Sequence, residues 1–238
     1  MKRMLFLLFI AIGFTRCDTA QQILSSAGYP GGELSNQEII SGLKEALSVG
    51  AANSGNKLSA VDGFFKNAAL KILLPEEARQ VEGTLRNLGL GSLVDNAILS
   101  MNRAAEDAAS AAVPIFKSAI QQMTIQDAVG ILRGGDFAAT NYLKEKTTVA
   151  LTNAFKPVIE KSLEKVNATR YWSDVFTNYN RFATKKINPD LSGYVTEKAL
   201  QGIFTQLANE EQQIRQNPLA RTTEILKKVF GSKLASGS

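Results

Sequence analysis

Two short blocks carry polar residues of the types and spacing that chemistry would need. MNRAAE (101–106) holds Asn102, Arg103 and Glu106, and ILRGGDFAAT (131–140) holds Arg133 and Asp136. On a helix, Asn102 and Glu106 stand four apart and share a flank, while Arg103 and Asp107 share the next. A carboxylate in such a cluster can act as a general acid or base, or line a polar groove. Glu106 together with Asp136 would be the minimum equipment of a hydrolase. The other reading is structural: a network of hydrogen bonds and ion pairs between helices. No residue is assigned a catalytic role on these grounds.

The paired glycines raise a second chemistry, a loop that cradles phosphate. The P-loop pattern is absent, and the preceding QDAVGILR reads as helix, not strand. Gly134 and Gly135 fit a helix end that needs positive φ, and Asp136 fits the N-cap of the next helix with Arg133 as its partner. The stretch therefore reads as a helix–helix corner, with a polar ligand site on Arg133 and Asp136 as the alternative. A third group is aromatic. Tyr171, Trp172, Phe176, Tyr179 and Phe182 lie at helical spacing and form either ordinary core or a face for an apolar ligand or partner helix. Glu210, Glu211, Arg215 and Arg221 read as surface or inter-helix pairs.

Composition removes several function classes. The 238 residues contain no histidine, which excludes Ser-His-Asp and Cys-His catalysis and the commonest metal ligand. The single cysteine, Cys17, excludes an internal disulfide, a Cys-based zinc site and an iron–sulfur cluster within one chain. No cofactor or metal is expected. Of the net charge of +5, Lys2, Arg3 and Arg16 supply three, and the remaining Lys and Arg are interleaved with acids. There is no basic stripe of the kind that binds nucleic acid.

These residues must be positioned by helices. SNQE at 35 is a capping box, TIQD at 124 a further capping signal, and Asn217 with Pro218 a helix start. Val94, Ile98, Met101, Ala105, Ala108, Ala112 and Ile115 repeat at alternating spacings of four and three, a seam for another helix that Pro114 kinks or divides. LLPEEARQVEGTLRNLG reads as a helix closed by Gly89, and LSGYVTEKALQGIFTQLANEEQQIRQ as a long amphipathic one. GAANSGNK is expected to end the first helix, SAVD at 59 to open a short one over DGFFKNAALKI, and Pro157 to open another after a helix from about Phe137 toward Thr152. The whole predicts an all-α fold, a single compact bundle of about eight to ten helices over 35–231.

The first residues read as an address. Lys2 and Arg3 precede an apolar run from Leu5 to Phe14 that is too short to span a bilayer. Cys17 follows where a bacterial lipoprotein signal resembling this one places its lipidated cysteine, although Arg16 stands where a small residue is usual. The expectation is a signal segment over 1–17, a Gly/Ser/Pro-rich tether over 18–34, and a disordered tail over 232–238. The protein is then secreted to the periplasm or cell envelope and lipid-anchored to a membrane, with simple secretion as the alternative.

The blocks MNRAAE, MTIQDAVGILRGGDFAAT, YVTEKALQGIF and IRQNPLARTTEILKKVF resemble an uncharacterised bacterial envelope family, domain-of-unknown-function family 4197, from about Leu34 to Phe230. The resemblance implies a helical secreted or lipoprotein domain and carries no activity, cofactor or catalytic residue. Function then reads as a non-catalytic binding or scaffold domain whose partner is an unknown protein or apolar ligand. A carrier of an apolar small molecule or lipid in a helical groove is the alternative, and a hydrolase using Glu106 and Asp136 a further one.

Overall fold

The computed structural model describes residues 34–181, 186, 188, 190–232 and 235. Cys17, the signal segment, the tether up to residue 33, Phe182 and most of the tail lie outside the described residues. Nine α-helices follow in chain order among those described: α1 (Asn36–Ser59), α2 (Arg79–Asn87), α3 (Gly91–Ala109), α4 (Ala112–Gln121), α5 (Ile125–Arg133), α6 (Ala138–Glu164), α7 (Ala168–Tyr179), α8 (Leu191–Gln216) and α9 (Glu224–Phe230). Short 3-10 turns at Glu76–Ala78 and Pro218–Ala220 lead into α2 and α9. No strand occurs among the described residues, as the helical periodicity predicts.

Capping chemistry sets the starts. The Ser35 hydroxyl accepts from the Glu38 N–H while the Glu38 carboxylate accepts from the Ser35 N–H, and Thr124 with Asp127 repeats the arrangement at α5. Asn217 accepts from the Leu219 N–H at the second 3-10 turn. Pro114 sits in the first turn of α4, where its missing N–H costs nothing, so the alanine seam divides at Ser110 and Ala111. Gly89, at φ +79, supplies the left-handed residue that closes α2.

Three boundaries differ from the sequence expectation. First, α1 runs through GAANSGNK to Ser59. Gly50 lies against Leu207 and the Glu210 Cβ of α8, and Gly55 against Val113 of α4, so close helix crossings hold glycines that local propensity alone would expel. Second, the segment SAVDGFFKNAALKI forms turns and an extended stretch instead of a helix. Third, Pro157 lies inside α6 and does not open a new helix. The stripe of Leu151, Phe155, Ile159 and Leu163, each fully buried at spacing four, holds the helix together across the missing N–H.

The core lies where α1, α3, α6 and α8 pack on one another, with α4, α5 and α9 covering α1. Phe116 of α4 meets Phe204 of α8 edge-on, ring centroids 5.9 Å apart, and Phe64 and Phe155 are fully buried. The seam residues Val94, Ile98, Met101, Ala105, Ala108 and Ala112 are all buried, whereas Ile115 is half-buried.

Candidate functional site

The first polar block lies on α3 and faces the segment 60–74. Asn102 is fully buried. Its side-chain oxygen accepts from the Ile72 N–H at 2.8 Å, and its amide donates to the carbonyls of Ile72 (2.8 Å) and Ile98 (2.7 Å). One turn on, buried Glu106 accepts from the backbone N–H groups of Phe64 and Phe65, both at 3.1 Å, and from the Arg103 guanidinium at 2.6 Å. Arg103 also donates to Asp62 at 2.7 Å, and Lys66 pairs with the same carboxylate at 2.8 Å. The Lys66 and then the Arg103 hydrogen bonds hold Asp62 below the usual carboxylate range. Asp62 itself has φ 70, a left-handed turn that the surrounding bonds maintain. These contacts explain why the segment needs no helix: side chains of α3 satisfy its backbone groups.

The second block is the corner between α5 and α6. Arg133 and Asp136 are exposed, and no hydrogen bond or ion pair joins them to each other or to the first block among the described residues. Neither glycine takes positive φ: Gly134 is extended at φ −72, ψ 169. Its requirement is space, because a Cβ there would stand 2.5 Å from the Ala138 Cβ. The N-cap of α6 is Phe137, which makes no capping bond, so Asp136 does not cap it.

The capping comes instead from α8. Glu211 accepts from the N–H of Ala139 (3.0 Å), the N–H of Thr140 (2.8 Å) and the Thr140 hydroxyl (2.8 Å). Arg215, one turn on, donates to the Ile131 carbonyl at 2.8 Å and to Glu211 at 2.9 Å. One buried ion pair thus holds the carboxyl end of α5 and the amino end of α6, each with the charge that suits its dipole. Sequence reading placed Glu211 and Arg215 among surface or inter-helix pairs; their side chains are only 7% and 9% exposed, and the inter-helix role is the one found. The signal that could have found them is their i, i+4 spacing on the apolar face of α8.

In the aromatic group, Trp172 and Phe176 are buried on α7, ring centroids 4.3 Å apart, and the Trp172 indole donates to the Asn188 carbonyl. Tyr171 and Tyr179 lie on the same helix, their side chains outside the described set. Neither Trp172 nor Phe176 lines any of three described cavities. The smallest, beside Glu211 and Arg215, has about 20 Å³, room for a single water. A cleft of about 300 Å³ lies between segment 69–73 and α8, and an open surface hollow of about 560 Å³ runs along α6 at Asp107, Pro157 and Ser162.

Distance separates the two acids that a hydrolase would need. Asp107, beside Glu106, accepts from the Ser162 hydroxyl at 2.5 Å, near the end of α6. Asp136 stands just before the first turn of that helix. Between residues 138 and 162 the helix rises about 36 Å at 1.5 Å per residue. The structure brings Asn102, Arg103 and Glu106 together and leaves Arg133 and Asp136 elsewhere. Among the described residues no group of three His, Cys, Asp or Glu is arranged to hold a metal, and no helix is long and apolar enough to cross a membrane.

A family model described as "Protein of unknown function (DUF4197)" matches residues 33–231. No curated protein and no solved structure matches the chain.

Proposed function

The chain belongs to the DUF4197 family, and we propose that it is a bacterial cell-envelope protein whose helical body binds or scaffolds without catalysis, held at a membrane through a lipid on Cys17. One observation carries the non-catalytic half. The buried polar side chains Asn102, Glu106 and Glu211 all direct their hydrogen bonds at the backbone and side chains of their own fold. A general base must face substrate, whereas the Glu106 carboxylate is buried and turned onto two N–H groups and a guanidinium of its own fold. The carrier reading draws less support, because neither Trp172 nor Phe176 lines a described cavity, and the two hollows of several hundred Å³ lie open at the surface and away from them.

The anchoring half rests on the basic start, the short apolar run and the sole cysteine after it. Its test is expression of the full chain in its host with a fatty-acid probe, followed by fractionation. The wild type should be labelled and sediment with membranes, and Cys17→Ala should be unlabelled and released. A wild type that is unlabelled and soluble in the periplasm would replace anchoring with simple secretion.

A further inference from the structure

We propose that the cleft between segment 69–73 and α8 binds a compact oxyanion, the carboxylate or phosphate group of a small ligand, through Lys71 and Lys198; this gives the binding reading above a ligand class and rests on that reading, not on the lipid anchor. The cleft has about 300 Å³. The only lining side chains charged at neutral pH are those two lysines, one on each wall, and both are half-buried. The Lys71 ammonium lies over the Phe65 ring at 4.2 Å and the Lys198 ammonium over the Tyr194 ring at 5.7 Å. Lys198 also donates to the Gln201 side-chain oxygen at 3.2 Å. Among the described residues neither lysine pairs with a carboxylate. An ammonium carries three donors, so both keep hydrogen-bonding capacity for a ligand.

The backbone supplies a further donor. Asn102 takes both the N–H and the C=O of Ile72 from the α3 side. The next residue turns the other way: the Leu73 carbonyl accepts from the Tyr194 hydroxyl of α8 at 2.8 Å. In extended backbone the N–H and C=O of one residue share a side, so the Leu73 N–H faces α8 as well. Among the described residues no hydrogen bond satisfies it. Two ammoniums and one N–H thus meet on the same cleft, and an unpaired N–H there favours an acceptor.

Neighbouring acids choose the size of the occupant. Burial first, then Glu197 and Glu77, raise the Tyr194 phenol above its usual value, so both acids lie within electrostatic reach. Neither lines the cleft, and Glu197 accepts from the Gln201 amide at 3.0 Å. The lining therefore carries two positive charges and no negative one, while its surroundings carry two negative charges. That pattern admits a small anion between the lysines and opposes a long polyanion, whose further charges would meet the acids. The volume agrees, since about 300 Å³ is the lower end of small-ligand sites.

The experiment titrates the full chain in mild detergent with inorganic phosphate, phenyl phosphate and benzoate at constant ionic strength, by isothermal calorimetry. At least one probe should bind saturably at a single site, and the contrast between phosphate and benzoate tells which oxyanion fits. Lys71→Gln and Lys198→Gln should each weaken that binding roughly tenfold. Lys198→Arg should retain it, and Lys57→Gln, an exposed position on α1, should leave it unchanged. Circular dichroism checks that each variant is folded, and the Leu73 amide resonance should move on titration of the wild type. No saturable binding of any probe to the folded wild type overturns this inference and leaves the non-catalytic envelope reading standing. Binding that survives both lysine substitutions at full strength places the anion elsewhere and overturns it too. Phenol released from phenyl phosphate, and lost with Lys71→Gln, keeps the site and overturns the non-catalytic reading.

Discussion

Glu211→Ala should be among the most destabilising single substitutions in the chain. It removes the acceptor for two backbone N–H groups and a hydroxyl at the start of α6, and strands the Arg215 guanidinium, whose side chain is 9% exposed. Breaking one partner out of a buried pair costs about 3–5 kcal/mol, most of it the uncompensated charge left behind. For a body of this size each kcal/mol lowers Tm by about 2–4 °C, so the drop is roughly 6–20 °C. Urea unfolding followed by far-ultraviolet circular dichroism measures it directly. Glu211→Gln keeps one acceptor oxygen and should lose less. The double variant Glu211→Leu with Arg215→Met should recover stability relative to Glu211→Ala, because no charge is left unpaired. A cost below about 1 kcal/mol for Glu211→Ala, or a double variant worse than both singles combined, would refute the clamp.

Asn102→Ala should cost about 2–3 kcal/mol through the buried Ile72 groups it orphans, with faster hydrogen exchange at the Ile72 amide as the local signature. Glu106→Gln should loosen the turn at 62–65, read as lost exchange protection at Phe64 and Phe65. Hydrogen bonds from Lys228, then from the Ser35 backbone and hydroxyl, lower Glu38 to about 2 from an ordinary 4.5. With the folded value below the unfolded one, the ionised form stabilises. Its contribution is full above the unfolded pKa and fades as pH falls toward about 2, and exposure limits it to about 1 kcal/mol. The stability gap between wild type and Glu38→Gln, compared by urea midpoints near neutrality and near pH 2, should therefore close in acid. Gly89→Ala forces a Cβ into the left-handed region and should lower stability by about 1–2 kcal/mol by the same assay.

Local signals in the sequence located what local physics decides. Ser35 with Glu38, Thr124 with Asp127, and Gly89 each act within four residues and occupy the structural place their chemistry predicts, while Asn217 with Pro218 opens only a 3-10 turn and Thr223 caps the closing helix. The errors share one cause, contacts between residues distant in sequence. Gly50 and Gly55 stay helical because α8 and α4 press on them, Pro157 is carried by a buried stripe, and 60–74 is held extended by α3. The polar blocks followed the same division. Asn102, Arg103 and Glu106 were legible as one cluster because they share a helix face, although the segment they hold was not. Arg133 and Asp136 were grouped with them on residue type, and the chain places them beyond reach. The groups that do hold the corner, Glu211 and Arg215, lie more than seventy residues from it.

That separation has a consequence for the order in which the molecule can assemble. Before α8 is present, α6 has no neighbouring side chain to cap its start, although the Gly134 N–H already closes α5 on the Ile131 carbonyl. The side-chain cap of α6 and the Arg215 bond to the Ile131 carbonyl form only when residues 211–215 close a long loop, an entropically costly event. Until then the corner lacks the side-chain clamp that joins its two helix ends. Closure of the corner is thereby tied to the last long helix of the bundle.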